Sequence, residues 1–493
     1  MSREEIDRRT FCRTGLCGAA LASMGIGEPR HVSSAHATSQ RPNVLLIVTD
    51  QQSRIAMSAT GNPYLNTPHM DSIANGGVSF ARSYCTTPVC GPSRSSWMTG
   101  LHPHQTGVNY NGDSIREGIP TMGFIFREAG YDTGWSGKWH LPESYPAIPK
   151  PWKENDELGS IPGFEMLPIR GNSKKMYPFG DFADDPVANS AIGFMKRKRD
   201  KPFLLGVSLH NPHDVCYQVM DKIPEYHPSF REKEPKDYTG YPPLPTNFAR
   251  DPNEPEFIRL CRKREKYGPE NTYTVDWDRA RWRVYLYEYY RMTERVDAII
   301  GRILEALRDS GQEENTLILF TTDHGEGMAA HEWVVKLMLY EEPISIPFAL
   351  QWKGHIPQRP LDRSHLVSGM DVLPTLCDYA GVELPKPVEG RSLRPVIEEP
   401  QGAWRDSIVT ELASDKYNHD MLGRMIRTDR FKYIVFSKGE NPEMFFDLQE
   451  DPGETHNLIG SGSFKTELCE HRRELRGWIQ RTGDYFVFPD YIG

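Results

Sequence analysis

The chain has 493 residues, a formal net charge of -9, 38% hydrophobic and 25% charged residues. That balance excludes a general nucleic-acid binder, which needs a cationic face to neutralise phosphates. No run approaches the roughly 18 apolar residues that span a bilayer, and the best basic block, Lys196-Arg197-Lys198-Arg199, ends an expected helix where cations complement the dipole.

In chain order, Arg8-Arg9-Thr10-Phe11, the weakly apolar Leu16 to Gly27 and Ala35-His36-Ala37 read as a twin-arginine-type signal peptide over residues 1–37. This predicts export to the periplasm or beyond, with the twin-arginine translocase as a partner. Its removal takes Cys12 and Cys17 and leaves Cys85, Cys90, Cys216, Cys261, Cys377 and Cys469, which show neither zinc spacing nor a dense disulfide framework.

Asn43 to Thr49 is a near-continuous apolar run, expected as a buried central strand that ends at Asp50-Gln51. Thr67-Pro68 opens a helix that stops near Gly76-Gly77, with Thr67 as its cap. A strand follows at Val78 to Tyr84. The stretch Cys90-Gly91-Pro92-Ser93-Arg94 then begins a helix.

Helix and strand alternate further: a helix at Thr121 to Ala129, a strand at Tyr131 to Ser136, a helix at Asp185 to Lys198 and a strand at Phe203 to Leu209. Residues 211–277 form an excursion rich in Pro, Lys, Glu and Tyr, expected to lie over the site, with Tyr217, Tyr226, Tyr238 and Tyr241 available to stack on rings. A long helix at Asp278 to Ser310 precedes a strand at Thr316 to Thr322.

The alternation predicts an α/β fold: a large mixed, mostly parallel central sheet with helices on both faces. After Pro395, short strands at Ser407 to Leu412, Gly423 to Thr428 and Phe431 to Phe436, then a helix at Lys465 to Thr482, suggest a smaller α+β subdomain. The expected division is 1–37 signal, 38–395 catalytic domain and 396–493 C-terminal subdomain.

Asp50 and Asp323 both follow strong strands, so the sheet can bring them to one edge. A lone Asp after a strand is ordinarily a turn or cap residue. Two of them, with Gln51 and His324 beside them, suggest ligands for a divalent cation. Lys138 and His140 follow another strand, His213 another, and Lys336 lies past Asp323; in an acidic protein these cations mark a specific place for an anion.

Cys90-Gly91-Pro92-Ser93-Arg94 followed by Thr99-Gly100 resembles the C-x-P-S-R signature of type I sulfatases, in the alkaline-phosphatase-like superfamily. It is accompanied in order by Asn43 to Gln51, Gly137-Lys138-Trp139-His140, Thr322 to Glu326, Lys336 and Tyr340-Glu341-Glu342. Phe446 to Pro452, with Glu454 and Asn457-Leu458, resembles the family's terminal signature.

The resemblance implies that a formylglycine-generating maturase oxidises Cys90 to Cα-formylglycine (3-oxoalanine), whose hydrate attacks sulfur through one metal-coordinated hydroxyl. A thiol has no comparable route, whereas the second hydroxyl of the hydrate can expel sulfate and re-form the aldehyde. By the same resemblance, Asp50, Gln51, Asp323, His324 and the modified Cys90 hold the cation, calcium first with magnesium or manganese as alternatives. Arg94 supports the hydrate and offsets negative charge, Lys138 and Lys336 hold sulfate oxygens, His140 is the candidate base for sulfate expulsion and His213, with Lys336, the candidate to protonate or polarise the leaving oxygen; the sequence leaves the division of roles between the two histidines open.

Many family members have Asp where Gln51 stands and Asn where His324 stands, so one negative charge is missing and a nitrogen ligand is present. These pairs also resemble phosphonate monoester hydrolases and choline sulfatases. The expected function is hydrolysis of a sulfate monoester, on a sulfated small molecule or carbohydrate. A phosphonate monoester or phosphodiester hydrolase is the alternative, and an inactive sulfated-glycan-binding protein is a remote third reading.

Overall fold

Five consecutive apolar residues, Val44 to Val48, make β1 (Asn43–Asp50) a strand that is buried along its whole length. The two-residue period sends Val44, Leu46 and Val48 into one core and Leu45 and Ile47 into another. Each such side chain contributes about 1.5–3 kcal/mol by leaving water. The computed structural model describes residues 41–141, 160–161, 163–169, 184–219, 240–262, 274–414 and 420–489. The expected signal segment, Tyr226 and Tyr238 lie outside the described residues.

Around β1 the strands β2 (Val78–Tyr84), β3 (Asp132–Gly137), β4 (Ser160–Ile161), β5 (Phe164–Met166), β6 (Phe203–Pro212), β7 (Thr316–Thr322), β8 (Phe348–Gln351) and β9 (Asp362–Ser368) complete a nine-stranded sheet. Its order is β4-β5-β3-β6-β1-β7-β8-β2-β9. The block from β5 to β7 is parallel. β8 runs antiparallel to both β7 and β2, which gives the mixed sheet foreseen from sequence.

α1 (Pro68–Asn75) covers one face and α2 (Cys90–Thr99), whose Trp97 and Met98 enter the larger core, covers the other. α3 (Asp184–Met195) and α4 (Arg279–Asp309) join α1, setting Ala188, Phe194, Ile300 and Leu307 against Leu45 and Ile47. α5 (Val372–Ala380) lies with α2, through Val372, Leu373 and Leu376. Asp278 caps α4 by accepting from Arg281 N at 2.7 Å.

Thr67 makes no cap bond to α1. Its hydroxyl is taken by Ser58 N and Asp71, and Asp297 of α4 accepts from His69 N and Met70 N instead. A carboxylate from a neighbouring helix thus replaces the local cap.

A second, antiparallel sheet contains β10 (Ile408–Ala413), β11 (Leu422–Arg427), β12 (Phe431–Phe436) and β13 (Glu443–Asp447). α6 (Lys465–Thr482) packs Leu468, Leu475 and Trp478 onto its Tyr433, Val435 and Phe445. β10 is tied to the lead-in of α2: Thr410 Oγ1 donates to Cys85 O and Glu411 N to Thr86 O, at 2.9 and 2.8 Å. From β12, fully buried Lys432 reaches Glu341 Oε1 at 3.1 Å and Glu454 Oε1 at 2.6 Å.

Several expectations need correction. β6 runs on through His210 and Asn211 to Pro212, because its last residues still pair with β1 at Asp50. α3 stops at Met195, so the basic block follows the helix; Arg197 pairs with Glu165, and Arg199 lies over Phe194 and Phe203. Tyr241 is buried edge-on against Tyr287, 4.9 Å between ring centres, so it packs the fold rather than offering a face to a sugar. The six described cysteines are all free thiols.

Candidate active site

The register of the parallel strands builds the site. Thr49 lies opposite Thr322 and Asp50 opposite Pro212, so Asp50, Asp323 and His213 emerge side by side at the carboxyl ends of β1, β7 and β6. Gly137 pairs with Ser208 and delivers Lys138 to the same edge. A side chain at Gly137 is excluded: φ is +97° and an added Cβ would lie 2.0 Å from Ser208 O.

Cys90 and Arg94, one helical turn apart on α2, share a face that looks into this edge. Arg94 is completely buried and its fork spans both carboxylates, Nη2 to Asp50 Oδ2 and Nε to Asp323 Oδ2, each at 2.8 Å. Its Nη1 donates to Lys138 O and Ser208 Oγ. Arg94 therefore serves as the charge partner of the two aspartates, and none of these bonds goes to Cys90.

Lys138 Nζ also takes Asp50 Oδ2, at 2.7 Å. Lys336 Nζ reaches Cys90 Sγ at 3.0 Å and Gln51 Oε1 at 2.9 Å. His213 Nε2 lies 4.0 Å from Asp50 Oδ1. The backbone of His140, at φ 57°, passes over the start of α2, where Gly91 leaves room: an added Cβ there would be 3.1 Å from His140 O. His140 Nδ1 has no hydrogen-bond partner.

These charges set the protonation states. Burial alone would raise Asp50, but Lys138, His213, Arg94 and Lys336 hold it well below the usual carboxylate range. Burial and Asp50 raise the Cys90 thiol; Lys336, Lys138 and His324 outweigh them, so Cys90 is held well below the usual thiol range. Burial, with Lys138 and Lys336, pushes His213 down to about 3 against the pull of Asp50. Burial and the neighbouring Asp50 raise Asp323, with Arg94 opposing them.

Asp50, Cys90, Asp323 and His324 are all buried and each offers a ligand atom within 4.8 Å of the others. His324 Nδ1 faces Gly325 O at 2.8 Å; a carbonyl only accepts, so a proton sits there and Nε2, 3.1 Å from Cys90 Sγ, is the ring nitrogen that faces the cluster. Two carboxylates and a tautomer-fixed imidazole fit a divalent cation. Gln51 stands beside them at φ 63°, held by Tyr289 OH on its carbonyl at 2.8 Å and by its own N–H on Asp323 Oδ1.

Nine of the ten residues singled out from sequence thus meet through their side chains at one sheet edge, and the backbone of His140 passes beside Gly91 at the start of α2. Missed there were Glu326, which accepts from Gln51 Nε2 at 2.6 Å, and Tyr285 and Tyr289, which reach Glu326 and Gln51 from α4. Glu326 follows directly in the Asp323-His324-Gly325-Glu326 stretch, and the tyrosines are four apart on one helix face. Those were the available signals.

Residues 42–382 match the family model described as Sulfatase, and residues 329–480 match that of the N-sulphoglucosamine sulphohydrolase C-terminal region. The chain is 28% identical to a Δ4,5-hexuronate-2-O-sulfatase of Bacteroides thetaiotaomicron, covering 95% of this chain and 92% of the relative. It is 29% identical to an ulvan-active sulfatase of Formosa agariphila, with 92% and 83% covered. A solved 2-O GAG sulfatase superposes with a TM-score of 0.77 at 28% identity, over 90% of this chain and 93% of that one.

Proposed function

The chain belongs to the sulfatase family of the alkaline-phosphatase-like superfamily and hydrolyses sulfate esters, and from that premise we propose that its substrate is a sulfated carbohydrate. Support comes from relatives named for uronate and ulvan substrates. The observation that carries the reading is the setting of Cys90: a lowered, buried thiol at a helix start, between Lys336 and a cation-ready cluster.

In this proposal a maturase converts Cys90 to formylglycine, and calcium is the first candidate for the cation, held by Asp50, Gln51, Asp323 and His324. The aldehyde hydrate supplies a hydroxyl nucleophile, and the cation supplies charge to polarise oxygen. Lys138 and Lys336 bind sulfate oxygens and stabilise the charge that grows on them. Arg94 orients both aspartates and favours their ionised forms.

His213 gives a proton to the departing ester oxygen. Burial, with Lys138 and Lys336, keeps this imidazole unprotonated, and the sulfate charge offsets the two lysines. His140, with a free Nδ1, is the base for sulfate expulsion. The same reading takes residues 1–37 as a twin-arginine signal, 38–395 as the catalytic domain and 396–493 as a C-terminal subdomain of an exported enzyme.

The test combines mass spectrometry of the Cys90 peptide from the native host with a screen of sulfated mono- and oligosaccharides for released sulfate. Aldehyde at Cys90 and sulfate release are expected. An intact thiol in fully active protein overturns the mechanism. A larger kcat/KM on phosphonate or phosphate-diester substrates overturns the choice of sulfur.

A further inference from the structure

Glu326 is fully buried and accepts four hydrogen bonds: from Gln51 Nε2 at 2.6 Å, Gly327 N at 3.0 Å, Tyr285 OH and Val335 N. Burial pushes Glu326 up, and these four donated bonds pull against it by favouring the carboxylate, which only accepts. Its two oxygens divide the work. Oε2 takes Gln51, while Oε1 takes the other three donors.

Gln51 has only one amide orientation that satisfies its neighbours. The Lys336 ammonium donates and must face the amide oxygen; the Glu326 carboxylate accepts and must face the amide nitrogen. Were the amide turned over, its NH2 would point at an ammonium and its oxygen at a carboxylate, both repulsive. The second hydrogen of the NH2 is directed at Cys216 Sγ, 3.2 Å away.

The other oxygen acts on the opposite partner of the same contact. Val335 precedes Lys336 and sits at φ 56°, a value that a β-branched residue rarely adopts. Its N–H is held by Glu326 and its carbonyl by Gly327 N at 2.7 Å. One carboxylate thus fixes both the amide that receives the Lys336 ammonium and the backbone that launches the lysine.

We infer that Glu326 is a positioning residue of the active site: it turns the Gln51 oxygen toward Lys336 and the cation cluster, and supplies through that amide the negative charge that neutral Gln51 lacks. This rests on the cation-dependent reading above. It assigns Glu326 no contact with substrate.

The test uses the full-length protein stripped of metal by chelation, with wild type, Glu326→Gln, Gln51→Glu and the swap carrying both changes. Calcium dissociation constants are measured by calorimetry without substrate, beside apo-protein melting temperatures, kcat and KM. Glu326→Gln weakens calcium binding about 10–100-fold, as loss of a partner behind a metal ligand does. Glu326→Gln leaves the amide without its anion, and Gln51→Glu sets two carboxylates together.

The swap restores a carboxylate and an amide in exchanged places and recovers most of the loss, a rescue that a merely structural role does not produce. Should Glu326→Gln fail to fold, Glu326→Asp replaces it, withdrawing the charge by one methylene with the same direction of loss. Wild-type calcium affinity in Glu326→Gln, a swap no better than the worse single change, or no calcium binding by wild type overturns the inference. Because affinity is read without substrate, failure of the carbohydrate assignment alone leaves these results decisive for Glu326.

Discussion

Replacing Lys432 with Met removes a buried ammonium while keeping most of the side-chain volume. At an effective dielectric of about 20, contacts of 3.1 Å to Glu341 and 2.6 Å to Glu454 are each worth about 5–6 kcal/mol before desolvation is subtracted. Taking charges out of water offsets much of this, and breaking a buried pair by deleting one partner costs about 3–5 kcal/mol net. That is the expected loss for Lys432→Met, read by urea unfolding with tryptophan fluorescence.

The pH dependence has a definite sign. Burial works against Glu341, but Lys432 and Arg427 hold it below the usual carboxylate range. Its contribution is therefore present above the unfolded value of about 4.3 and lost as pH falls. Burial, Glu341 and Glu342 raise Glu454 in spite of Lys432, so its contribution is present below that value and lost as pH rises.

Without the lysine both carboxylates are raised. The variant then falls further behind wild type as pH climbs, so the gap is wider near pH 8 than near pH 5. Because Gly325 N donates to Pro343 O just past Glu341 and Glu342, kcat falls with stability. A loss below about 1 kcal/mol, or a gap that narrows toward pH 8, refutes the reasoning.

Arg94→Lys is expected to weaken calcium binding about 10–100-fold, because one ammonium cannot span two carboxylates as the guanidinium does; calorimetry checks it. Lys138→Ala and Lys336→Ala should each lower kcat/KM about 100–1000-fold and raise the inhibition constant of free sulfate, measured in steady state. Glu411→Gln should cost about 1.5–3 kcal/mol, read by denaturant unfolding. Burial opposes both charges, yet His104 and Arg424 help to hold Glu411 low, and Glu411, 2.7 Å away, raises His104. The Glu411 contribution is lost as pH falls below about 4.3 and that of His104 as pH rises past about 6.5, so the gap is widest between them.

The central strands were legible because a strand buried on both faces must be apolar throughout. β1 and β7 run from Asn43 and Thr316 as read from sequence. Asp50 and Asp323 were legible because polar residues ending such runs fall at one sheet edge. The two- and three-residue strands β4 and β5 carry no periodicity to read. The end of β6 was missed because His210 and Asn211 are strand residues only through their pairing with β1. Glu326 and the α4 tyrosines were hidden because their role is set by contacts across the fold, as was the capping of α1 by Asp297.

All ten residues of α2, Cys90 to Thr99, are buried, and Cys90 itself has no exposed surface. A second enzyme cannot grip this segment in the finished protein without dismantling the core around Trp97 and Met98. If Cys90 is oxidised enzymatically, the chemistry is a matter of timing: it belongs to the growing or unfolded chain, and folding afterwards closes the window. On that condition a copy that folds first would keep its thiol, and the active fraction of a preparation would record a race between two rates, set at synthesis.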